Sequence, residues 1–141
     1  MTEVTDALAQ QVWDFVYAHD AAYDRAAQTA GLSAAQACLL EHLAGDGRAM
    51  GDLAEELLCD ASNVTQLVSR LEARGLVARV PDPTDRRIKR VSITTAGRRV
   101  RRTVRQAFEF PSERLGLLTE QEQRQLSELL AKVLAPDRPL G

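Results

Sequence analysis

Two stretches of this 141-residue chain carry side chains whose types and spacing could do chemistry. The first is PDPTDRRIKRVSIT, from Pro81 to Thr94. Two prolines and two aspartates read as a loop, and Arg86, Arg87, Lys89 and Arg90 then place four cations in five positions ahead of a polar–apolar alternation. Cationic donors at that density form charge-assisted hydrogen bonds to the oxygens of a polyanion. A solvated, mobile basic loop is the alternative. The second stretch is DASNVTQLVSRLEARG. At helical spacing its outer face carries Ser62, Asn63, Thr65, Gln66, Ser69 and Arg70, with Arg74 near its end. Short amides and hydroxyls beside arginine suit base edges and phosphates. An ordinary solvated helix face is the competing reading, but such faces are usually rich in Glu and Lys, and this one has neither before Glu72.

Other chemistry finds no support. There is no Gly-rich phosphate loop, no nucleophile elbow and no His–carboxylate array, so neither catalytic residues nor a cofactor are expected. His19, His42 and the two cysteines lack metal-ligand spacing. Cys38 and Cys59 sit in the apolar contexts QACLLEHL and ELLCDAS, and both read as small buried hydrophobes rather than a disulfide framework. A thiol-based redox sensor would need one of them exposed and acidified. No run of eighteen apolar residues occurs, and the N-terminus MTEVTDALAQQVWDF lacks the basic-then-apolar layout of a signal peptide. A reduced, cytoplasmic protein with no membrane partner is the expectation.

The elements that must position the two stretches follow from pattern. Residues 5–30 read as one long helix, with Leu8, Val12, Phe15, Val16 and Tyr23 at helical spacing. In GLSAAQACLLEHLAGDG, Gly31 breaks the helix, Ser33 and Gln36 make a capping box, Leu39, Leu40 and Leu43 face inward, and Gly45 and Gly47 stop the segment. GDLAEELL is a short helix without a clear N-cap. DASNVTQLVSRLEARG has Asp60 as N-cap, Val64, Leu67, Val68 and Leu71 as its inner stripe, and Gly75 at the C-cap. LVARV and IKRVSI flank PDPTDRR as a two-stranded hairpin. Thr94 or Thr95 opens a helix to about Glu109, Pro111 interrupts, and Thr119 with Glu122 opens a last helix that ends before Pro136. Two short helices followed by a basic hairpin describe a winged helix-turn-helix, whose second helix enters a DNA major groove.

Charge is distributed to match. Net charge is only −2, but residues 60–105 hold twelve basic and four acidic residues, a net of +8, and the remainder carries −10. A positive face for a polyanion follows. With 45% apolar residues the chain can bury a real core as one domain. All six aromatic residues lie in Trp13–Tyr23 or Phe108–Phe110.

The segment LAEELLCDASNVTQLVSRLEARGLVARVPDPTDRRIKRVSITTAGR resembles the MarR family of bacterial transcription regulators. VTQLVSRLEARGLVAR followed by DPTDRRIKRVSIT carries the match, and GLSAAQACLLEHL extends it more loosely. The resemblance implies a mainly α fold with a small β-hairpin wing: a winged helix-turn-helix lobe at 31–105, and a helical dimerisation lobe from 1–30 and 106–141. It implies a homodimeric repressor on a pseudo-palindromic double-stranded DNA operator, with wing tips in minor grooves. The family's D-x-R pattern at the wing tip falls on Asp85 and Arg87, and Asp85 then serves to aim Arg87. Small phenolic or aromatic acids bind between the lobes in that family. Trp13, Tyr17, His42 and the arginines of the helix after the wing could line such a pocket, with plain dimer packing as the alternative use of the aromatics. Leu58 departs from a frequent turn glycine, and Pro111 is unusual in the helix leading to the dimer lobe. A thiol-sensing regulator and a winged-helix protein-interaction module without DNA affinity remain the rival functions.

Overall fold

The computed structural model describes residues 2–43, 47–57 and 60–135. Gly45, Leu58 and Cys59, each given a role above, lie outside the described residues.

Helix ends are set by local chemistry. α1 (Asp6–Thr29) starts where the Thr5 hydroxyl accepts the Leu8 N–H at 3.2 Å. It ends at Gly31, whose φ of +70° is the left-handed conformation that glycine adopts without strain. The Gly31 N–H donates to Gln28 O and the Leu32 N–H to Ala27 O, a paired closure that satisfies two orphan carbonyls. α2 (Ala34–Glu41) begins with the predicted Ser33–Gln36 capping box. α4 (Ala61–Ala73) is capped by Asp60, which accepts the Asn63 N–H at 2.8 Å. It closes like α1: Gly75 has φ +72°, its N–H donates to Glu72 O, and the Leu76 N–H donates to Leu71 O.

The sheet has one strand more than the sequence announced. β2 (Val77–Pro81) and β3 (Lys89–Ile93) form the expected antiparallel hairpin, registered Val77↔Ile93 to Pro81↔Lys89. A third strand, β1 (Arg48–Ala49), pairs with the other edge of β3. Two residues are too short to show alternation. β1 also explains the missing cap of α3 (Met50–Glu56): the strand runs straight into the helix, and Ala49 caps it without a side-chain bond. Arg48 pairs with Glu56 across α3.

α5 (Thr95–Ala107) is capped by Thr94, which accepts the Gly97 N–H at 3.0 Å. At Gly97 only glycine fits. A Cβ there would stand 2.1 Å from Leu76 O and 2.7 Å from Ile93 Cγ1.

These elements close on one core within the unit that ends at Phe108. Leu39, Leu40 and Leu43 meet Leu53, Val64, Val68, Leu71, Val77 and Val91, all fully buried. Ala26 and Ala27 from α1 and Val104 from α5 join them. The second unit starts at Glu109. After Pro111 it forms a four-residue α6 (Ser112–Leu115) and then α7 (Glu120–Leu134), which opens with the predicted Thr119–Glu122 capping box. No residue of α7 is buried, and Leu129, Val133 and Leu134 stand exposed. No helix among the described residues is long and apolar enough to cross a membrane.

Candidate nucleic-acid interface

The inner stripe of α4 fixes its outer face. Val64, Leu67, Val68 and Leu71 are buried, so Ser62, Asn63, Thr65, Gln66, Ser69 and Arg70 are all exposed together. They are not equally free. The Ser62 hydroxyl donates to Asp60 at 2.8 Å, and the Thr65 hydroxyl donates back to Ala61 O at 2.9 Å. Ser69 accepts from Arg79 Nη2 at 2.6 Å, and Arg79 also faces Glu72 at 3.8 Å. Asn63, Gln66 and Arg70 have no side-chain partner among the described residues. An amide with two donors and an acceptor, unoccupied and exposed on a rigid helix, is the chemistry that reads a base edge. Asp60 titrates below the usual carboxylate range because it accepts the Asn63 N–H and the Ser62 hydroxyl.

The wing is built by an aspartate that sequence reasoning passed over. Asp82 Oδ1 accepts the Thr84 N–H at 2.8 Å, the Thr84 hydroxyl at 2.6 Å and the Asp85 N–H at 3.1 Å. Its other oxygen stands 3.3 Å from Arg90 Nε. The Thr84 hydroxyl first, then the backbone donors and Arg90, hold its carboxyl below the usual range. The Asp82 N–H donates to Ile88 O and the Ile88 N–H to Asp85 O, closing the loop. Asp85 Oδ1 accepts the Arg87 N–H at 3.0 Å and lies 3.4 Å from Arg87 Nε. The Arg87 side chain is 93% exposed. Arg86 and Lys89 are exposed and have no partner among the described residues. Asp82 was legible as an N-terminal turn aspartate two residues before a threonine, a pattern that closes local turns.

Half of the basic residues in 60–105 are structural. Arg98 donates to Ile93 O at 3.3 Å and to Thr95, and Arg101 donates to Leu40 O and Leu43 O. Arg105 forks onto Glu41 at 2.7 and 2.9 Å. Arg74 donates to the carbonyls of Ala30 and Gly31. With Arg79 and Arg90 these six hold the lobe together. Arg99 and Arg102 on α5, like Arg70, Arg86 and Lys89, have no partner among the described residues.

The aromatic residues separate into two groups. Trp13 and Tyr17 lie together on the exposed part of α1, with ring centroids 5.9 Å apart. Tyr23 and His19 each meet Phe108 edge-on, at 5.1 and 5.3 Å. A groove of about 500 Å³ is lined by His19, Asp20, Tyr23, Ala34, Ala35, Cys38 and Phe108, and it contains none of Trp13, Tyr17 and His42. A neighbouring hollow of about 300 Å³ shares Tyr23 and Phe108 and adds Glu41, Val104 and Arg105. Burial, then Cys38 and Glu41, push the Tyr23 phenol up to about 12. Cys38 is half-buried rather than core, and its sulfur lies 3.8 Å from His42 Nδ1. The expected buried thiol is corrected here: α2 turns Ala37, Leu39 and Leu40 inward, which leaves Cys38 at the groove wall.

Comparison with known proteins agrees with this geometry. Residues 30–88 match the model of the MarR family. The transcriptional activatory protein BadR of Rhodopseudomonas palustris is 40% identical over 80 residues, which cover 54% of this chain and 46% of BadR. The chain's matches span about half the length of its curated relatives. The apo crystal structure of MarR from E. coli is similar with a TM-score of 0.77 and 26% identity, covering 94% of this chain and 99% of that one. CouR of Rhodococcus jostii RHA1, bound to p-coumaroyl-CoA, is similar with a TM-score of 0.72 and 25% identity, covering 98% and 99%. The matched segment spans the helix-turn-helix and the first wing strand, and 94% of the chain is similar in fold to MarR, so the chain resembles the MarR family.

Proposed function

We propose that the chain is a homodimeric transcription regulator, a repressor, that binds a pseudo-palindromic double-stranded DNA operator. One observation carries the reading: the unoccupied amides of Asn63 and Gln66 and the free Arg70 face outward on the same lobe as an exposed, aspartate-aimed Arg87. In this reading α4 lies in the major groove, Asn63, Thr65 and Gln66 address base edges, and Ser62, Ser69 and Arg70 address phosphates. Arg86, Arg87 and Lys89 enter the minor groove, where the potential is strongly negative. Such a protein works in the cytoplasm, where its DNA is. Selection from random duplex DNA tests the reading. A recovered two-fold sequence, bound with an affinity that falls steeply with salt, is expected, because phosphate contacts release counterions. Salt-insensitive binding or no enriched sequence returns the protein-interaction module.

The exposed apolar side chains support the dimer. Leu8, Val12, Trp13 and Val16 on α1 and Leu129, Leu130, Val133 and Leu134 on α7 are more apolar surface than a monomer keeps in water. Deleting residues 1–12 or 119–141 is expected to give monomers or aggregates in sedimentation, and a well-folded dimer after either deletion counts against it. The groove beside Tyr23 and Phe108 supports a small aromatic effector, the class to which the coumaroyl group bound by CouR belongs. Its walls would be these residues with Arg105. Trp13, Tyr17 and His42 would complete it from outside the groove or serve packing. Release of operator by an aromatic acid is the expected effect, read by fluorescence anisotropy.

A further inference from the structure

Arg74 stands at the C-terminal end of α4, where the sequence pointed to a phosphate contact. Its guanidinium turns the other way. Nη1 donates to Gly31 O at 2.9 Å and Nη2 donates to Ala30 O at 3.1 Å, across more than forty residues of sequence. Those carbonyls close α1, where helical carbonyls lack partners and the helix dipole gathers negative charge. The fit is close: a Cβ on Gly31 would lie 3.6 Å from Nη2. A planar fork that donates from two nitrogens fixes orientation as well as distance, which a single ammonium does not. The other face of the same helix end is held too, since the Thr94 hydroxyl donates to Gly75 O at 2.7 Å.

We propose that Arg74 is a positioning residue that sets the spacing between the two recognition helices of the dimer, an inference that rests on the DNA-binding reading above. α1 carries the apolar surface through which copies associate, and α4 carries the base-reading face. Arg74 is the charged link between the ends of those two helices. In a two-fold complex the half-sites sit about one helical turn apart, ~34–36 Å. One base pair more or less both shifts and rotates a half-site. Freedom at the α1–α4 joint therefore appears as tolerance of wrong spacing, with the preferred bases unchanged.

The test compares the parent, Arg74→Ala and Arg74→Lys on operator duplexes with the selected spacing and with one base pair added or removed, at several salt concentrations. Thermal unfolding of each protein is recorded alongside. The penalty for wrong spacing is expected to fall roughly threefold or more in both variants, the scale of a residue that couples two elements. The slope of log affinity against log salt stays unchanged. A slope smaller by about 0.9 in Arg74→Ala, restored by Arg74→Lys and with the spacing profile intact, makes Arg74 a phosphate ligand and overturns the proposal. A lower unfolding temperature with an unaltered spacing profile reduces it to a structural clamp and overturns it as well. If Arg74→Ala does not fold, Arg74→Lys carries the same comparison. Failure of the parent to bind any duplex sinks the DNA-binding reading itself, a result distinct from either.

Discussion

The two arginine-rich regions of the first unit use the same side chain for opposite ends. On α5 and at the end of α4, Arg98, Arg101, Arg105 and Arg74 spend their donors on carbonyls and on Glu41. On the outer face of α4 and on the wing, Arg70, Arg86 and Lys89 make no such bond among the described residues, and Arg87 holds only its own neighbour Asp85. A count of +8 therefore overstates the number of donors offered to a partner. What separates a clamp from a contact is whether its donors are already taken.

The contrast is sharpest where the framework has no slack. Gly97→Ala puts a methyl where Leu76 O stands at 2.1 Å, so the helix must shift. A stability loss of about 3 kcal/mol, the upper end for overpacking, is expected in chemical denaturation. An unchanged midpoint would mean that α5 moves freely over the β2 strand. On the wing the order reverses. Arg87→Ala is expected to lose roughly 1–3 kcal/mol of operator affinity with no change in unfolding temperature, since the side chain is exposed and supports nothing. Asp85→Ala should also weaken binding, because a free arginine must lose side-chain entropy on docking. The double variant should lose less than the sum, because Asp85 acts through Arg87. Tighter binding by Asp85→Ala would make the wing a diffuse positive patch.

Smaller effects test the joints between the regions. Thr94→Ala removes the cap of α5 and the bond to Gly75 O, at a cost of about 1 kcal/mol in stability. Operator affinity of the folded protein should not change, and a loss of affinity at equal folding would merge the two regions. The smallest effect belongs to Asp82. Its folded-state carboxyl is held below the usual range, so the turn it stabilises is intact above that range and loosens as pH falls through the depressed value. The amide signals of Thr84 and Asp85 should titrate together in that acid window, and signals that move only at ordinary carboxylate pH would contradict the Asp82 hydrogen bonds.

Legibility in the sequence followed the same division. Ser33–Gln36, Asp60, Thr94 and Thr119–Glu122 act within three or four residues, so caps, helices and the β2–β3 hairpin were readable from spacing. The exposed faces of α4 and the wing were readable because their apolar stripes fix what faces out. The β1 strand was not, since two residues carry no period. The partners of Arg74, Arg101 and Arg105 lie 43 to 64 residues away, where no local pattern reaches. Cys38 misled because its neighbours on both sides are apolar, and one step along a helix turns a side chain by about 100°.

The meeting of helix ends at Gly31, Gly75 and Thr94 has a consequence for how the molecule opens. The Leu76 N–H is bound to Leu71 O, the Leu76 carbonyl accepts the Thr94 N–H, and the Leu32 N–H is bound to Ala27 O under the Arg74 fork. Helices normally fray independently from their tips, but here each tip is another helix's anchor. The backbone hydrogens of Leu32, Leu76 and Thr94 should therefore exchange with deuterated water at one common, slow rate, the rate at which the whole unit unfolds.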